Sequence, residues 1–164
     1  MFNMDAFKDL NKEEYYESLL FFAQGLMDGE KDLIANMSNV ASLLYNTMSD
    51  VNWAGFYLMK DDELVLGPFG GNPACIRIQV GKGVCGTCVS EKMIQLIPDV
   101  HEFPGHIACD GDTDSEIVLP IIIRSQVVAV MDLDSPIKNR FDEDDARNLA
   151  ILVDMLIKAC EWEA

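Results

Sequence analysis

Residues 116–133 read E-I-V-L-P-I-I-I-R-S-Q-V-V-A-V-M-D-L. Two runs rich in β-branched and other apolar residues flank the short turn Arg124-Ser125-Gln126. Two such runs joined by a few turn residues are typical of a β-hairpin. The stretch therefore predicts two antiparallel strands, at 116–123 and 127–133.

The rest of the chain extends this hairpin into an α+β layer. Further strands are predicted at 52–59, 64–69, 76–80 and 93–97. Helices are predicted at 12–29, 32–48, 84–92 and 141–162. Hairpins dominate this order, so we expect a mainly antiparallel sheet of five to six strands. The two N-terminal helices and the C-terminal helix should cover one face. The short helix and the long polar loop 98–114 should cap a pocket on the other.

Length and charge narrow the class of protein. The 164 residues suit one domain, 1–164, with its own core. The net charge of −16 disfavours nucleic acid and anionic membrane surfaces as partners. No apolar run has the length of a membrane span, and Met1–Asp5 lacks the pattern of a signal peptide. An odd number of cysteines, five, without an export signal favours a cytoplasmic, reducing location.

Three of the five cysteines lie where a thiol can react. Cys75, Cys85 and Cys109 each lie near a turn or a glycine, outside long apolar runs. A cysteine in a polar loop, close to proton donors and acceptors, can ionise and act as a nucleophile. Together these thiols indicate either reversible sulfur redox chemistry or a metal site.

A zinc site is the first alternative to redox chemistry. Cys85, Cys88, His101 and His106 have the spacing of a zinc finger with two cysteine and two histidine ligands. The intervening sequence argues against it, because Phe103-Pro104-Gly105 separates the two histidines and cannot form the helix that a finger requires. We therefore predict that the chain has no structural metal.

The remaining cysteines and the histidines have less specific interpretations. Cys160 lies within the last predicted helix and is expected to pack there. Cys88 is also expected to be a packing residue, although C-x-x-C spacing to Cys85 would let it compete as a redox thiol. His101 and His106 fit two roles equally well, ordering their loop or tuning Cys109.

Several segments resemble one family over nearly the whole chain. The similar segments are N-W-A-G-F-Y-L (52–58), E-L-V-L-G-P-F (63–69), P-A-C-I-R-I (73–78), G-K-G-V-C-G-T (81–87), P-D-V-H-E-F-P-G-H-I-A-C-D (98–110), S-E-I-V-L-P (115–120) and D-L-D-S-P (132–136). The chain thus resembles the free methionine-(R)-sulfoxide reductases, GAF-domain enzymes that reduce the free amino acid. The resemblance implies a GAF-like fold. The cysteine at position 88 departs from the family pattern, which usually has a small apolar residue there.

The resemblance also implies roles for individual residues. Cys109 matches the cysteine that attacks the sulfoxide, and Cys75 and Cys85 match thiols implicated in resolving the oxidised intermediate; which of the two resolves first stays open. Aromatic residues that shape the pocket around the substrate methyl group match Trp53 and Tyr57. The acidic cluster that binds the substrate and assists proton transfer matches Glu116, Asp132 and Asp134.

The chemistry of a sulfoxide explains this set of residues. The sulfur is electrophilic, but its oxygen leaves only when protonated, so a thiolate and a nearby acid are both needed. A carboxyl group kept protonated by burial or by like charges supplies the proton, and Glu116 and Asp134 are the candidates. The resemblance implies no bound cofactor, recycling by thioredoxin and NADPH as external reductants, and a homodimer. The alternative function is a non-catalytic GAF module that binds a small ligand for signalling.

Overall fold

The protein forms one antiparallel sheet with helices on both faces. The computed structural model describes residues 3–107, 109 and 111–162. Six strands follow the spatial order β3-β2-β1-β6-β5-β4, and all neighbouring pairs are antiparallel. Their bounds are β1 Trp53–Lys60, β2 Glu63–Gly71, β3 Arg77–Gln79, β4 Gln95–Ile97, β5 Ser115–Ile123 and β6 Gln126–Ser135. The predicted α+β class with a mainly antiparallel sheet is confirmed.

Four α-helices complete the part of the chain that the structure describes. They are α1 Lys12–Met27, α2 Leu33–Thr47, α3 Gly83–Glu91 and α4 Glu143–Ala159. Both α1 and α4 begin with a capping box, in which the N-cap side chain and the carboxylate three residues later satisfy two free backbone N–H groups. The ends predicted from the sequence differ from the observed ones by no more than three residues. Among the described residues, no helix is both long and apolar enough to cross a bilayer.

One face of the sheet carries the main core. Helices α1, α2 and α4 pack there against fully buried residues of alternating strand positions. In the central strands these are Ala54, Phe56, Ile117, Leu119, Ile121, Ala129, Met131 and Leu133. Because successive side chains of a strand point to opposite faces, the residues between them face the other side of the sheet.

The other face is smaller and mixed in character. Its cluster joins Trp53 and Tyr57 of β1 with Val118, Val130 and the inner side of α3. The short helix α3 and the segment 98–114 lie over it, as predicted, although Ala108 and Asp110 of that segment lie outside the described residues. This second face therefore provides the floor of a covered cavity.

Candidate active site

A cavity on the second face brings the predicted site residues together. It is partly open to solvent, and the space between its lining atoms, open solvent included, is about 520 Å³. Seven of the eight residues predicted from the sequence line it: Trp53, Tyr57, Cys85, Cys109, Glu116, Asp132 and Asp134. The eighth, Cys75, is joined to Cys109 by a disulfide bond. Strand alternation alone does not show that these residues share one pocket, and in the structure they do.

Strand register explains why the floor residues meet. Trp53 of β1 pairs with Asp134 of β6, and Asp134 in turn pairs with Glu116 of β5. Gly55 lies opposite Asp132, and a Cβ there would come within 2.8 Å of the Trp53 ring and would also collide with Phe69. Because Gly55 has no side chain, the Trp53 ring can pack against Phe69 at this position. Three adjacent strands place two aromatic rings beside three carboxyl groups.

The Cys75–Cys109 disulfide connects two distant loops. Cys75 lies between β2 and β3, and Cys109 lies 34 residues later in the segment that covers the cavity. Their Cα atoms are 5.4 Å apart, within the usual range for a bonded pair. The Tyr57 hydroxyl donates a hydrogen bond of 3.0 Å to the backbone carbonyl of Cys75 and so anchors this loop to the floor. The structure therefore shows the oxidised form and pairs Cys109 with Cys75.

Cys85 has a different environment from the bonded pair. It lies in α3, is buried, and is a free thiol. Its Sγ donates to Asp132 Oδ2 at 3.2 Å and lies 4.0 Å from Glu116 Oε1. Burial, and then the nearby Asp132 and Glu116 carboxyl groups, raise the pKa of this thiol well above its ordinary value. Cys85 is thus held as a protonated hydrogen-bond donor, which makes it a poor nucleophile in this state.

Two of the three carboxyl groups are deeply buried. Glu116 and Asp132 are each 6 % exposed. Burial raises the pKa of Glu116 well above its usual value, and the charge of Asp134 adds to the effect. Burial likewise raises the pKa of Asp132, with Glu116 as the second cause. These carboxyl groups therefore favour the protonated form, which is the state that a proton donor needs.

The aromatic wall is larger than the sequence analysis predicted. The rings of Trp53 and Tyr57 are stacked with centroids 5.9 Å apart, and both residues are buried. Phe69 of β2 also stacks on Trp53, with ring centroids 5.3 Å apart, and the indole Nε1 donates to the Asn72 carbonyl at 3.2 Å. Sequence reasoning missed Phe69, although its pairing with Gly55 across the predicted hairpin would have placed it beside Trp53.

The two histidines of the covering segment differ in their placement. His106 lines the cavity, with its Nε2 at 3.6 Å from Glu116 Oε2, and its side chain is only 15 % exposed. His101 is exposed outside the cavity, where its Nε2 lies 2.9 Å from Asp114 Oδ1. His101 thus orders the loop, whereas His106 belongs to the site. The sequence had left both roles open for both residues.

The spacing that resembles a zinc finger does not form a ligand cluster. Over residues 3–107, 109 and 111–162, the one group placed closely enough to hold a metal ion is Cys85, Glu116 and Asp132. Of the four residues with finger spacing, His101 is paired with Asp114, and Cys88 is buried with its Sγ directed at the Val118 carbonyl. Because these residues have separate partners, they do not come together as the four ligands of a zinc finger.

Comparison with known proteins places the chain in a family. The GAF domain family matches residues 34–156. The free methionine-R-sulfoxide reductase of Escherichia coli (strain K12) is 50 % identical over 149 residues, which cover 91 % of this chain and 90 % of that protein. The protein of the same name from Saccharomyces cerevisiae is 46 % identical, covering 94 % and 91 %. The chain belongs to the free methionine-R-sulfoxide reductase family.

Solved structures support membership of the reductase family at the level of the fold. A free methionine-R-sulfoxide reductase from Neisseria meningitidis, in complex with its substrate, aligns with a TM-score of 0.89 and 37 % identity. The alignment covers 93 % of this chain and 92 % of that one. The GAF-like fold that the sequence predicted is therefore confirmed.

Cys88 lies three residues after Cys85 in α3. Its side chain is fully buried in α3, and its Sγ lies 3.7 Å from the backbone carbonyl of Val118. Burial raises the pKa of this thiol to about 12. Cys88 therefore occupies the packing position that the sequence analysis favoured. Cys160 is likewise buried, at the end of α4, where it accepts a hydrogen bond from the Asn36 amide at 3.4 Å.

Proposed function

We propose that this protein reduces free methionine-(R)-sulfoxide to methionine, with Cys109 as the nucleophile. The observation that carries the proposal is the meeting of Cys109 with buried, proton-holding carboxyl groups in one cavity. A sulfoxide needs both a nucleophilic sulfur and an acid at its oxygen, and the cavity holds both. Relatives named free methionine-R-sulfoxide reductase support the choice of substrate.

The first step forms a sulfenic acid. The Cys109 thiolate attacks the sulfoxide sulfur while Glu116 gives its proton to the sulfoxide oxygen. The attack forms a transient bond between the two sulfur atoms. The protonated oxygen then moves to Cys109: its S–O bond to Cys109 forms while the substrate S–O bond and the transient S–S bond break, which releases methionine and leaves Cys109–SOH. Cys109 is oxidised and the substrate sulfur is reduced, each by two electrons.

The second step closes the disulfide that the structure contains. The Cys75 sulfur attacks the Cys109 sulfenic acid, and the oxygen leaves as water. Recycling then needs an external dithiol, for which we propose thioredoxin, reduced in turn by NADPH through its reductase. The partial exposure of both cysteines, and of Ile76 at 71 %, leaves the disulfide open to such a partner.

The acidic floor also fits the rest of a free amino acid. We propose that Asp134, the least buried of the three carboxyl groups, attracts the α-ammonium group, which in a peptide would be a neutral amide. Trp53 and Tyr57 would surround the S-methyl group and select one sulfoxide epimer by shape. The hydrogen bond from Cys85 to Asp132 would hold that carboxyl group in place during the first step.

A coupled assay tests the proposal. Reduced protein is mixed with free methionine sulfoxide containing both sulfur epimers, thioredoxin, thioredoxin reductase and NADPH. NADPH oxidation should stop when about half of the sulfoxide has been consumed and should be absent with Cys109→Ser. A wild-type protein that oxidises no NADPH and forms no methionine would support the ligand-binding GAF module instead.

The roles of the other two cysteines are tested by single turnover. Reduced Cys75→Ser should form one methionine per chain and then stop, because its sulfenic acid has lost the partner seen in the structure. Cys85→Ser should still form the Cys75–Cys109 disulfide. If Cys75→Ser sustains wild-type multiple turnover while Cys85→Ser does not, Cys85 would be the resolving thiol.

We also propose a reducing, cytoplasmic location and a homodimer. Three free thiols, at Cys85, Cys88 and Cys160, favour a compartment that keeps thiols reduced. Light scattering of the purified protein tests the dimer, since the mass should be twice that of one chain. A single-chain mass at assay concentration would exclude the homodimer.

A further inference from the structure

His106 is a titratable group in the cavity for which the proposed steps have no role. Its Nε2 faces Glu116 Oε2 at 3.6 Å, and about one seventh of its side chain reaches solvent. Glu116 itself is almost completely buried. The imidazole thus lies between a buried carboxyl group and the solvent-exposed side of the cavity. A gap of 3.6 Å is longer than a hydrogen bond, but such contacts often shorten when a substrate binds.

The oxygen of the substrate must be protonated twice in each turnover. The first proton converts the sulfoxide oxygen into the hydroxyl group of Cys109–SOH, and the second releases it as water when Cys75 attacks. Glu116 can hold only one proton. If Glu116 acts as the acid in both steps, it must be reloaded between them.

The proton balance of the reaction allows such a reload without an external acid. Each of the two thiols, Cys109 and Cys75, loses one proton when its sulfur becomes a nucleophile. Those two protons equal the two that leave in the water molecule. The reload therefore needs only a group that carries a proton from the cavity solvent to the Glu116 carboxylate.

We propose that His106 reloads Glu116 by transferring a proton to its carboxylate after the sulfenic acid has formed. In this step the imidazolium N–H bond breaks, the Glu116 O–H bond forms, and the neutral imidazole then takes another proton from solvent. The inference rests on the proposed function of the site. His106 is thus a positioning residue that acts through Glu116 and does not touch the reacting sulfur.

Burial favours the neutral imidazole. It lowers the pKa of His106, so the ring is mostly neutral at pH 7 and releases a proton readily once charged. The titratable groups that line the cavity with it come from β1, α3, β5, β6 and its own loop: Tyr57, Cys85, Glu116, Asp132, Asp134 and Cys109. The carboxylates among them counteract burial whenever they are ionised, which couples the charge of His106 to that of Glu116.

Single turnover of the reduced full-length protein separates the two protonations. His106→Gln should release its one equivalent of methionine at nearly the wild-type rate, because Glu116 begins protonated. Formation of the Cys75–Cys109 disulfide should then slow by about tenfold or more at pH 8. The sulfenic acid should accumulate, and dimedone should trap it on Cys109 for detection by mass spectrometry.

Four comparisons make the test specific. The defect should shrink as the pH is lowered and on addition of imidazole, neither of which would repair a purely structural fault. His101→Gln removes a histidine of the same loop that lies outside the cavity, and it should behave as wild type. His106→Asn is measured in parallel, and circular dichroism of both variants checks that the fold is intact.

The outcomes distinguish the role of His106 from the proposed reductase activity on which it rests. A wild-type protein that releases no methionine would refute the reductase. In the second case, the wild type releases methionine while a folded His106→Gln or His106→Asn variant forms the disulfide at the wild-type rate and with the wild-type pH dependence. That result would refute the role of His106 and leave the reductase function standing.

Discussion

The two faces of the hairpin β5–β6 differ sharply although their residues alternate along the same strands. The face toward α1, α2 and α4 is apolar along its centre, with Ile117, Leu119, Met131 and Leu133 buried. The face toward the cavity buries Glu116 and Asp132 almost as completely. Adjacent residues of one strand are thus equally hidden from water but opposite in chemistry.

This difference shows how stability and reactivity are divided within one sheet. Burial of apolar side chains favours folding, whereas burial of carboxyl groups opposes it unless they take up protons. The cavity face keeps Asp132 Oδ1 buried without a hydrogen-bond partner among the described residues. Burial of apolar side chains on the helix-covered face offsets this loss of folding free energy. The protein can therefore keep the carboxyl groups buried, and burial holds them in the protonated state that proton donation requires.

The largest expected effect is a loss of turnover when Glu116, the proposed proton donor on the cavity face, is replaced. Glu116→Gln keeps the shape but removes the proton that we assign to the sulfoxide oxygen, so turnover should fall by roughly 10²-fold or more. The unfolding free energy should not fall, because a buried carboxyl group has been replaced by a neutral amide. Turnover number and urea denaturation measure the two quantities, and Glu102→Gln in the exposed loop is the control. An unchanged turnover number would remove Glu116 from the mechanism.

The opposite result is expected on the helix-covered face. Leu119→Ala should lower the unfolding free energy by about 2–5 kcal/mol, because it opens a cavity in a fully buried site. Activity per folded molecule should stay close to wild type. Denaturant unfolding followed by the assay below the transition measures both, with Ile151→Ala on the exposed side of α4 as the control. A large loss of activity in folded Leu119→Ala would show that the two faces are not independent.

The pH dependence of stability sharpens the contrast between the faces. The pKa of Asp132 is higher in the folded protein than in the unfolded chain, so its contribution is fully present below the unfolded value near 3.8 and is lost as the pH rises through the folded value. The wild type should therefore lose stability relative to Asp132→Asn as the pH rises from 5 to 8, by at most about 1.4 kcal/mol per pH unit. Urea unfolding at several pH values measures the difference, with exposed Asp154→Asn as the control. A constant difference would contradict the shifted pKa.

The sequence predicted the parts of this contrast that depend on local pattern. Alternation along strands placed Asp132 and Asp134 on one face, and the same rule placed Trp53 and Tyr57 together. The disulfide partner of Cys109 could not be predicted, because it depends on how the loop 98–114 folds over the loop that holds Cys75. The difference between His101 and His106 had the same origin, since a loop has no periodicity from which the direction of its side chains could be inferred.

The smallest effect is expected at Cys88, which lies beside the cavity but resembles the core. It is fully buried, packs with Val118 and Val130, and burial raises the pKa of its thiol to about 12. Cys88→Ala should change the unfolding free energy by about 1 kcal/mol or slightly more, since it removes one small buried group, and should leave turnover and disulfide pairing unchanged. Denaturant unfolding, the coupled assay and peptide mapping of the oxidised protein measure these quantities. A mapped disulfide at Cys88 in the wild type, lost together with turnover in Cys88→Ala, would instead make Cys88 part of the redox cycle.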